Sequence, residues 1–371
     1  MVLTNEIPRH PYVEIDKEAL LDWLDACLAE SDLVCLRERV TAYQAAVEGA
    51  DPTFYQSALH PDIVSARDST VLMVRQDVLE DQLEQILEAQ TPSRAHYYLE
   101  RLKKSAGEAR NGAVNDLNLH RWKEYDEIET DSLWIVDRRD TSGAHGAWYW
   151  GNFIPQIPRQ LMARYTRAGD VVLDPFCGSG TTLIECRRLG RHGIGVELNP
   201  EVAERASEVV DKEPNPFDVM TAIAQGDSTS LDFRNLLDSY GVEAAQLVIL
   251  HPPYHDIIQF GSGEGDLSNA PSIDAFVEAF GRVVERTVAV LEPERYLAVV
   301  IGDKYEGGAW IPLGFYVMQA VMDQGLTLKS IVVKNLDRTR AKREQQALWR
   351  YRALAGGFYV FKHEYLFIFQ A

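Results

Sequence analysis

Cysteine is scarce: the 371-residue chain has four, Cys27, Cys35, Cys177 and Cys186, and none forms a CxxC pair. Their spacing matches no disulfide framework or zinc site, which excludes a small stapled secreted domain and predicts no metal and a reduced, cytoplasmic chain. Cys27 and Cys35, eight apart in a helical pattern, are expected as two small buried thiols. Long apolar runs are missing as well. No stretch reaches the roughly eighteen consecutive apolar residues of a membrane span, so an integral membrane helix is excluded. The acidic N-terminus has no apolar core of a signal peptide. Positive charge is short overall, with 37 Lys and Arg against 56 Asp and Glu for a net −19. A uniform deficit would argue against a nucleic-acid partner, because phosphate binding rests on clustered Lys and Arg. The deficit is uneven: residues 1–150 carry −13, 151–330 carry −11, and 331–371 carry +5.

What is present is the composition of a folded chain, 46% hydrophobic and 25% charged, long enough for two domains. In residues 14–50 and 70–110 apolar positions recur every three and four, as in Leu20, Leu21, Leu24 and Leu28, and in Val78, Leu79, Leu83, Ile86 and Leu87. Asp16 and Ser31 are expected as helix N-caps. Residues 1–120 therefore read as a mostly helical N-terminal domain, with 121–150 as a polar, aromatic bridge. From residue 151 short β-branched runs (171–173, 193–196, 222–224, 247–250, 296–301) alternate with helical stretches (181–190, 200–210, 272–291, 313–324). That is the pattern of a parallel α/β sheet flanked by helices. The runs 328–334 and 358–369 show no helix between them, which predicts an antiparallel edge.

The segment Val171-Val172-Leu173-Asp174-Pro175-Phe176-Cys177-Gly178-Ser179-Gly180-Thr181-Thr182 reads as a buried strand, a glycine turn and the start of a helix. Glycines let the backbone approach a ligand, and the helix start offers unpaired N–H groups at the carboxyl edge of the sheet. Glu197 follows Asp174 by 23 residues at the end of the next strand, where a carboxylate can take both hydroxyls of a ribose. No Lys follows the glycines and the GxGxxG fingerprint is incomplete, so neither a phosphate loop nor a dinucleotide fold is indicated. The alternative is a tight turn packing helix on strand.

DPFCGSGTT followed by LIECRRLGRHGIGVELNP closely resembles the S-adenosylmethionine-binding motif of DNA methyltransferases that act on exocyclic amino groups. The resemblance covers about 150–371 and implies a Rossmann-like class I methyltransferase sheet. It implies that the loop (Asp174, Pro175, Phe176, Gly178, Ser179, Gly180, Thr181, Thr182) cradles the methionine part of the cofactor. Asn152, Phe153 and Pro155 match the motif that closes over that end, Glu197 the ribose acid, and Asp227 the acid beside the adenine.

His251-Pro252-Pro253-Tyr254 is similar to the family's catalytic tetrapeptide, an Asp, Asn or Ser followed by Pro-Pro and an aromatic residue. An exocyclic amino group is a poor nucleophile because its lone pair is delocalised into the ring. Two acceptors, the first side chain and the Pro252 carbonyl, can hold both N–H groups and draw the nitrogen towards tetrahedral geometry. Tyr254 supplies a face for an extruded base. His251 departs from the pattern. Only the neutral imidazole has an acceptor nitrogen, which makes it more like Ser than Asp and favours cytosine N4 over adenine N6. A rigid turn or a proline-rich docking motif is the bland reading of Pro-Pro-Tyr.

The glycine-rich stretch after Tyr254 is either a lid or a plain surface loop. Residues 334–352, KNLDRTRAKREQQALWRYR, form the basic island of an acidic chain, with Arg338, Arg340, Lys342, Arg343, Arg350 and Arg352 interleaved with Trp349 and Tyr351. They are expected to track the phosphates of duplex DNA, the alternative being a solvated basic helix. The motif order resembles the family's gamma arrangement. The same chemistry on RNA, a protein amide acceptor and a catalytically silent binding subunit stay open, and the N-terminal domain is expected to support a homodimer.

Overall fold

The computed structural model describes residues 10–55, 63–65, 71–107, 112–119, 122, 125, 127–261, 263, 265–336 and 346–371. The described residues divide into two compact units, one up to residue 128 and one of residues 129–371.

The first unit opens with strand β1 (His10–Asp16), helices α1 (Lys17–Leu28) and α2 (Leu33–Glu48), and strands β2 (Thr53–Tyr55), β3 (Ile63–Ser65) and β4 (Val71–Arg75). Helices α3 (Gln76–Leu87) and α4 (Pro92–Gly107) follow. Asp16 caps α1 through the Ala19 amide at 2.8 Å, as the sequence predicts. The cap of α2 is Asp32, not Ser31, because the Asp32 carboxylate accepts from the Val34 amide. Leu20, Leu24, Leu79, Leu83, Ile86 and Leu99 are fully buried in one core. The helical expectation holds, and to it the fold adds an antiparallel sheet in the order β2-β1-β4-β3. Cys27 lies in that core, but Cys35 is exposed beside Asp32, so only one of the two expected thiols is buried.

In the second unit come β5 (Leu133–Trp134), α5 (Gln156–Tyr165), β6 (Val171–Asp174), α6 (Thr181–Leu189), β7 (His192–Glu197), α7 (Pro200–Asp211), β8 (Thr221–Gln225), α8 (Phe233–Ser239) and β9 (Ala245–Leu250). Then follow α9 (Ile273–Val288), β10 (Leu291–Ile301), the hairpin β11 (Lys304–Glu306) and β12 (Ala309–Ile311), α10 (Leu313–Met322), β13 (Thr327–Asn335), α11 (Gln346–Gly356) and β14 (His363–Gln370). The eight-stranded sheet runs β5-β13-β14-β10-β9-β6-β7-β8. From β8 to β10 the strands are parallel, and β14 pairs antiparallel with both β10 and β13. The antiparallel edge is there, with one correction: α11 lies between its two strands, and β14 starts at His363 rather than 358. That helix carries no apolar stripe to mark it, and its described side chains are mostly exposed.

Two details of this sheet place the site. Chain order reverses between β6 and β9, and a parallel sheet binds ligands at such a switch point, beyond the carboxyl ends of its strands. The register pairs Val172 with Leu247 and Leu173 with Val248, so both strands release their loops at the same edge. Strands β6 and β9 are buried almost throughout, which fixes that edge against slippage. Helices α8, α9 and α10 contribute to one apolar cluster with Leu173, Val248, Leu250 and Val299, while α6 and α7 contribute to another. Among the described residues no helix is long and apolar enough to cross a membrane.

Candidate active site

A cavity of about 1210 Å³ opens over the switch point. That exceeds the roughly 300–1,000 Å³ of a single small-molecule pocket, and leaves room for a cofactor and an acceptor base together.

The loop after β6 forms its floor. Pro175, Phe176, Cys177, Gly178 and Thr181 line the cavity, and Asn152, Phe153, Glu197 and Asp227 join them. Asp174, Ser179, Gly180 and Thr182 stand behind the loop and hold its shape. The Asp174 carboxylate accepts from Thr182 Oγ1 at 2.5 Å and from the Phe176 amide at 3.1 Å. Burial pushes its carboxyl up to about 7 against those two bonds. Ser179 Oγ accepts from Asn152 Nδ2 at 2.9 Å, tying the upstream segment to the loop. Gly178 has φ +48°, and a Cβ there would meet the Tyr149 ring at 2.8 Å, so the loop backbone lies bare beneath an aromatic face. Pro155 caps the start of α5, is buried, and is not among the residues that line the cavity.

Glu197 Oε2 accepts from the Gly178 amide at 3.1 Å and Oε1 from the Asn199 amide at 2.9 Å. Burial raises this carboxyl from its ordinary value, and the two amides hold it at the cavity wall. Asp227 is fixed by the Thr229 amide and hydroxyl, both at 2.8 Å. A bare glycine loop facing the cavity, with one acid beyond each of the next two strands, fits a molecule with a zwitterionic tail, a ribose and an adenine. The residues present fit S-adenosylmethionine.

The other half of the cavity belongs to the loop after β9. His251, Pro252, Pro253 and Tyr254 all line it. The His251 ring meets Phe153 edge-on at 4.9 Å and Tyr254 at 5.7 Å. Burial pushes its imidazole down to about 4, opposed by Glu364 and reinforced by Lys334. His251 is therefore neutral near pH 7 and keeps an acceptor nitrogen.

Several lining residues escape the sequence reading. Lys334 and Glu364 stand directly opposite each other across β13 and β14, with Lys334 Nζ donating to Glu364 Oε1 at 2.9 Å. Tyr254 Oη donates to Glu364 Oε2 at 2.8 Å. Both belong to apolar strand runs, and only the antiparallel register could have paired them. From Glu129 on, the expected bridge is part of the sheet unit. Arg139 donates to the carbonyls of Phe153 (3.0 Å) and Gly146 (3.3 Å) and to Asn152 Oδ1 (3.2 Å). Beneath it Glu185 on α6 joins His145 (2.6 Å) and Arg159 (2.9 Å), while Arg159 also reaches Asp140 at 2.5 Å. Burial alone would raise the Glu185 carboxyl, but Arg159 and His145 hold it well below the carboxylate range. This paired cluster locks 139–146 and α5 to the helix that starts at the glycine loop.

The stretch after Tyr254 lies over the cavity: Ile257, Ile258, Phe260 and Asp266 line it, and Phe260 stacks on Tyr149 at 5.6 Å. Arg350 and Arg352 are exposed on α11, with the Arg352 guanidinium 5.3 Å from the Trp349 ring centroid. Arg338, Arg340, Lys342 and Arg343 lie outside the described residues.

A family model described as DNA methylase matches residues 56–208, which include the glycine loop and Glu197 and end before His251. A Type II methyltransferase of Methanocaldococcus jannaschii, M.MjaII, is 40% identical over 67 residues, 18% of this chain and 13% of that one. The Type II methyltransferase M.HpaI of Haemophilus parainfluenzae is 54% identical over 67 residues, 17% of this chain and 21% of that one. A tRNA (guanine(10)-N2)-dimethyltransferase of M. jannaschii is 29% identical over 106 residues, 28% of this chain and 29% of that one. The chain thus spans less than a third of each of these relatives. The matched model spans 153 of the 371 residues, and over that span the cofactor loop makes the chain similar to S-adenosylmethionine-dependent DNA methylases.

Proposed function

We propose that the protein transfers a methyl group from S-adenosylmethionine to an exocyclic amino group of a base in duplex DNA, with cytosine N4 preferred over adenine N6. The observation that carries this reading is that His251-Pro252-Pro253-Tyr254 and the Gly178–Glu197 wall face one cavity from neighbouring strands. Glu197 takes the ribose, Asp227 lies towards the adenine, and the glycine loop holds the methionine end. When bound, the cofactor supplies an electrophilic methyl on a sulfonium.

The target base, turned out of the stack, lies against the Tyr254 ring. Neutral His251 accepts one amino N–H and the Pro252 carbonyl the other, which frees the nitrogen lone pair for in-line attack. The proton released from nitrogen passes to the His251 acceptor nitrogen. Desolvation by Phe153 and Tyr254 strengthens these hydrogen bonds, and positioning carries most of the rate. Arg350 and Arg352 extend an electrostatic track outside the cavity, and the acidic N-terminal unit serves self-association.

Incubation with labelled S-adenosylmethionine and mixed-sequence duplex DNA, then nucleoside analysis of the digest, tests the reading. N4-methylcytosine is the expected product, and N6-methyladenine would reverse the base assignment. A second reading, transfer to RNA, is favoured by the tRNA methyltransferase among the relatives. Label entering RNA and not DNA would establish it in place of the first.

A further inference from the structure

The target side of the cavity contains a buried ion pair that the transfer chemistry does not require. Lys334 and Glu364 are about 95% buried, and a charge pair in such a place is commonly no more stabilising than apolar side chains of the same volume. Its placement is specific. Glu364 is the second residue of β14, two strands from β9 and at the same sheet edge as His251. Its two oxygens are divided: Oε1 accepts from Lys334, and Oε2 accepts from Tyr254 Oη at 2.8 Å. Lys334 also donates to the Asn335 carbonyl at 2.8 Å, which fixes its ammonium at the end of β13. The Glu364 carboxylate is the side-chain hydrogen-bond partner that the structure gives Tyr254 Oη. On the opposite flank Gly302 keeps the space open, since a Cβ there would meet the Tyr254 ring at 3.0 Å.

We propose that Glu364, clamped by Lys334, is the positioning residue that sets the plane of the Tyr254 ring and so orients the acceptor base towards His251. The proposal rests on the amino-methyl transfer reading above. Lys334 keeps the carboxylate ionised, so that it can only accept, and Tyr254 Oη is committed to donating to it. The ring is thereby held at its far end by the sheet while its near end is held by the proline turn.

The groups that face His251 are Glu364 from β14 and Lys334 from β13, with the Phe153 and Tyr254 rings at its sides. The pair therefore makes itself felt on His251 as well as on Tyr254. A merely structural pair would give losses of kcat/KM that add between Tyr254 and Glu364.

The test compares Tyr254→Phe, Glu364→Gln, Lys334→Met and the Tyr254→Phe/Glu364→Gln double variant. Cofactor dissociation constants, measured by calorimetry, report that each variant is folded. About tenfold loss of kcat/KM for nucleic acid is expected in Tyr254→Phe and in Glu364→Gln, with cofactor affinity unchanged. The double variant should lose no more than the worse single one. The acid limb should move down in Glu364→Gln, and Lys334→Met, which removes the charge that keeps Glu364 ionised, should lose kcat/KM as Glu364→Gln does. Additive losses in the double variant would overturn the proposal and leave the transfer reading intact. Absence of transfer by the unaltered chain to any DNA or RNA would overturn the transfer reading, and this inference with it.

Discussion

The two halves of the cavity are built by different means. The cofactor half is backbone architecture: a glycine loop, two amides on Glu197, and Asp174 bound to its own loop eight residues on. Nearly every contact there is local in sequence or joins adjacent strands. The base half is side-chain architecture, in which Tyr254 is held by Glu364, 110 residues away, and Glu364 by Lys334, 30 residues back. Backbone cradles read a ligand common to a whole family. The matched family model, residues 56–208, includes the glycine loop and Glu197 and ends before Asp227 and His251.

Removing the His251 acceptor should separate the halves most widely. In His251→Ala a loss of about 10²–10³ in kcat is expected, the size seen when one transition-state hydrogen bond is removed, with cofactor affinity unchanged. His251→Ser should retain more, and equal losses would remove the acceptor role. The unaltered enzyme should keep its rate as pH falls through 6 and lose it near 4, because burial holds the imidazole neutral down to about 4. The sign for stability runs the same way. An unfolded His titrates near 6.5, so the fold loses stability as pH drops from about 6.5 through about 4. Initial rates at short times keep the two effects apart.

The converse substitution is Gly178→Ala. Its positive φ costs an L-residue about 1–2 kcal/mol, and its Cβ would press on the Tyr149 ring. Calorimetry should show cofactor affinity weaker by about tenfold or more, at about 1.4 kcal/mol per decade. Any transfer that survives should keep the acid limb near pH 4. A shifted limb would mean that the two halves are coupled.

The smallest effect is expected at Asp174→Asn. The buried carboxyl, raised to about 7, is largely protonated below neutrality, and an amide oxygen can accept from Thr182 and Phe176 in its place. Cofactor affinity at pH 6 should change by less than about threefold. Because a raised carboxyl favours the fold while protonated, the unaltered chain should lose stability between about pH 4 and 7, and the Asn variant should not. Thermal melts across that range check it.

Much of the cofactor half was legible because its contacts are short in sequence. The strand–glycine–helix pattern around Asp174 to Thr182 and the acid 23 residues on are local signals, and the structure brings them to one wall. Pro155 is not among the lining residues, because a motif gives a position along the chain and the turn into α5 carries its ring away from the cavity. Helix α11 was missed because residues 346–356 lack the apolar stripe that marks a buried helix. The four-stranded sheet of the first unit was missed because strands of three to seven residues leave little alternation to read.

By itself the sequence determined the alternation of strands and helices, the cofactor loop, and the departure at His251, since periodicity, glycine placement and residue identity are written along one dimension. Only the tertiary structure decided that Lys334 faces Glu364, that Tyr254 is tethered to that pair, and that the segment from Arg139 to Tyr149 closes the cavity. Those contacts depend on the order in which strands lie side by side. Strand order is set by burying both faces of the whole sheet at once, and no local stretch of chain contains that information.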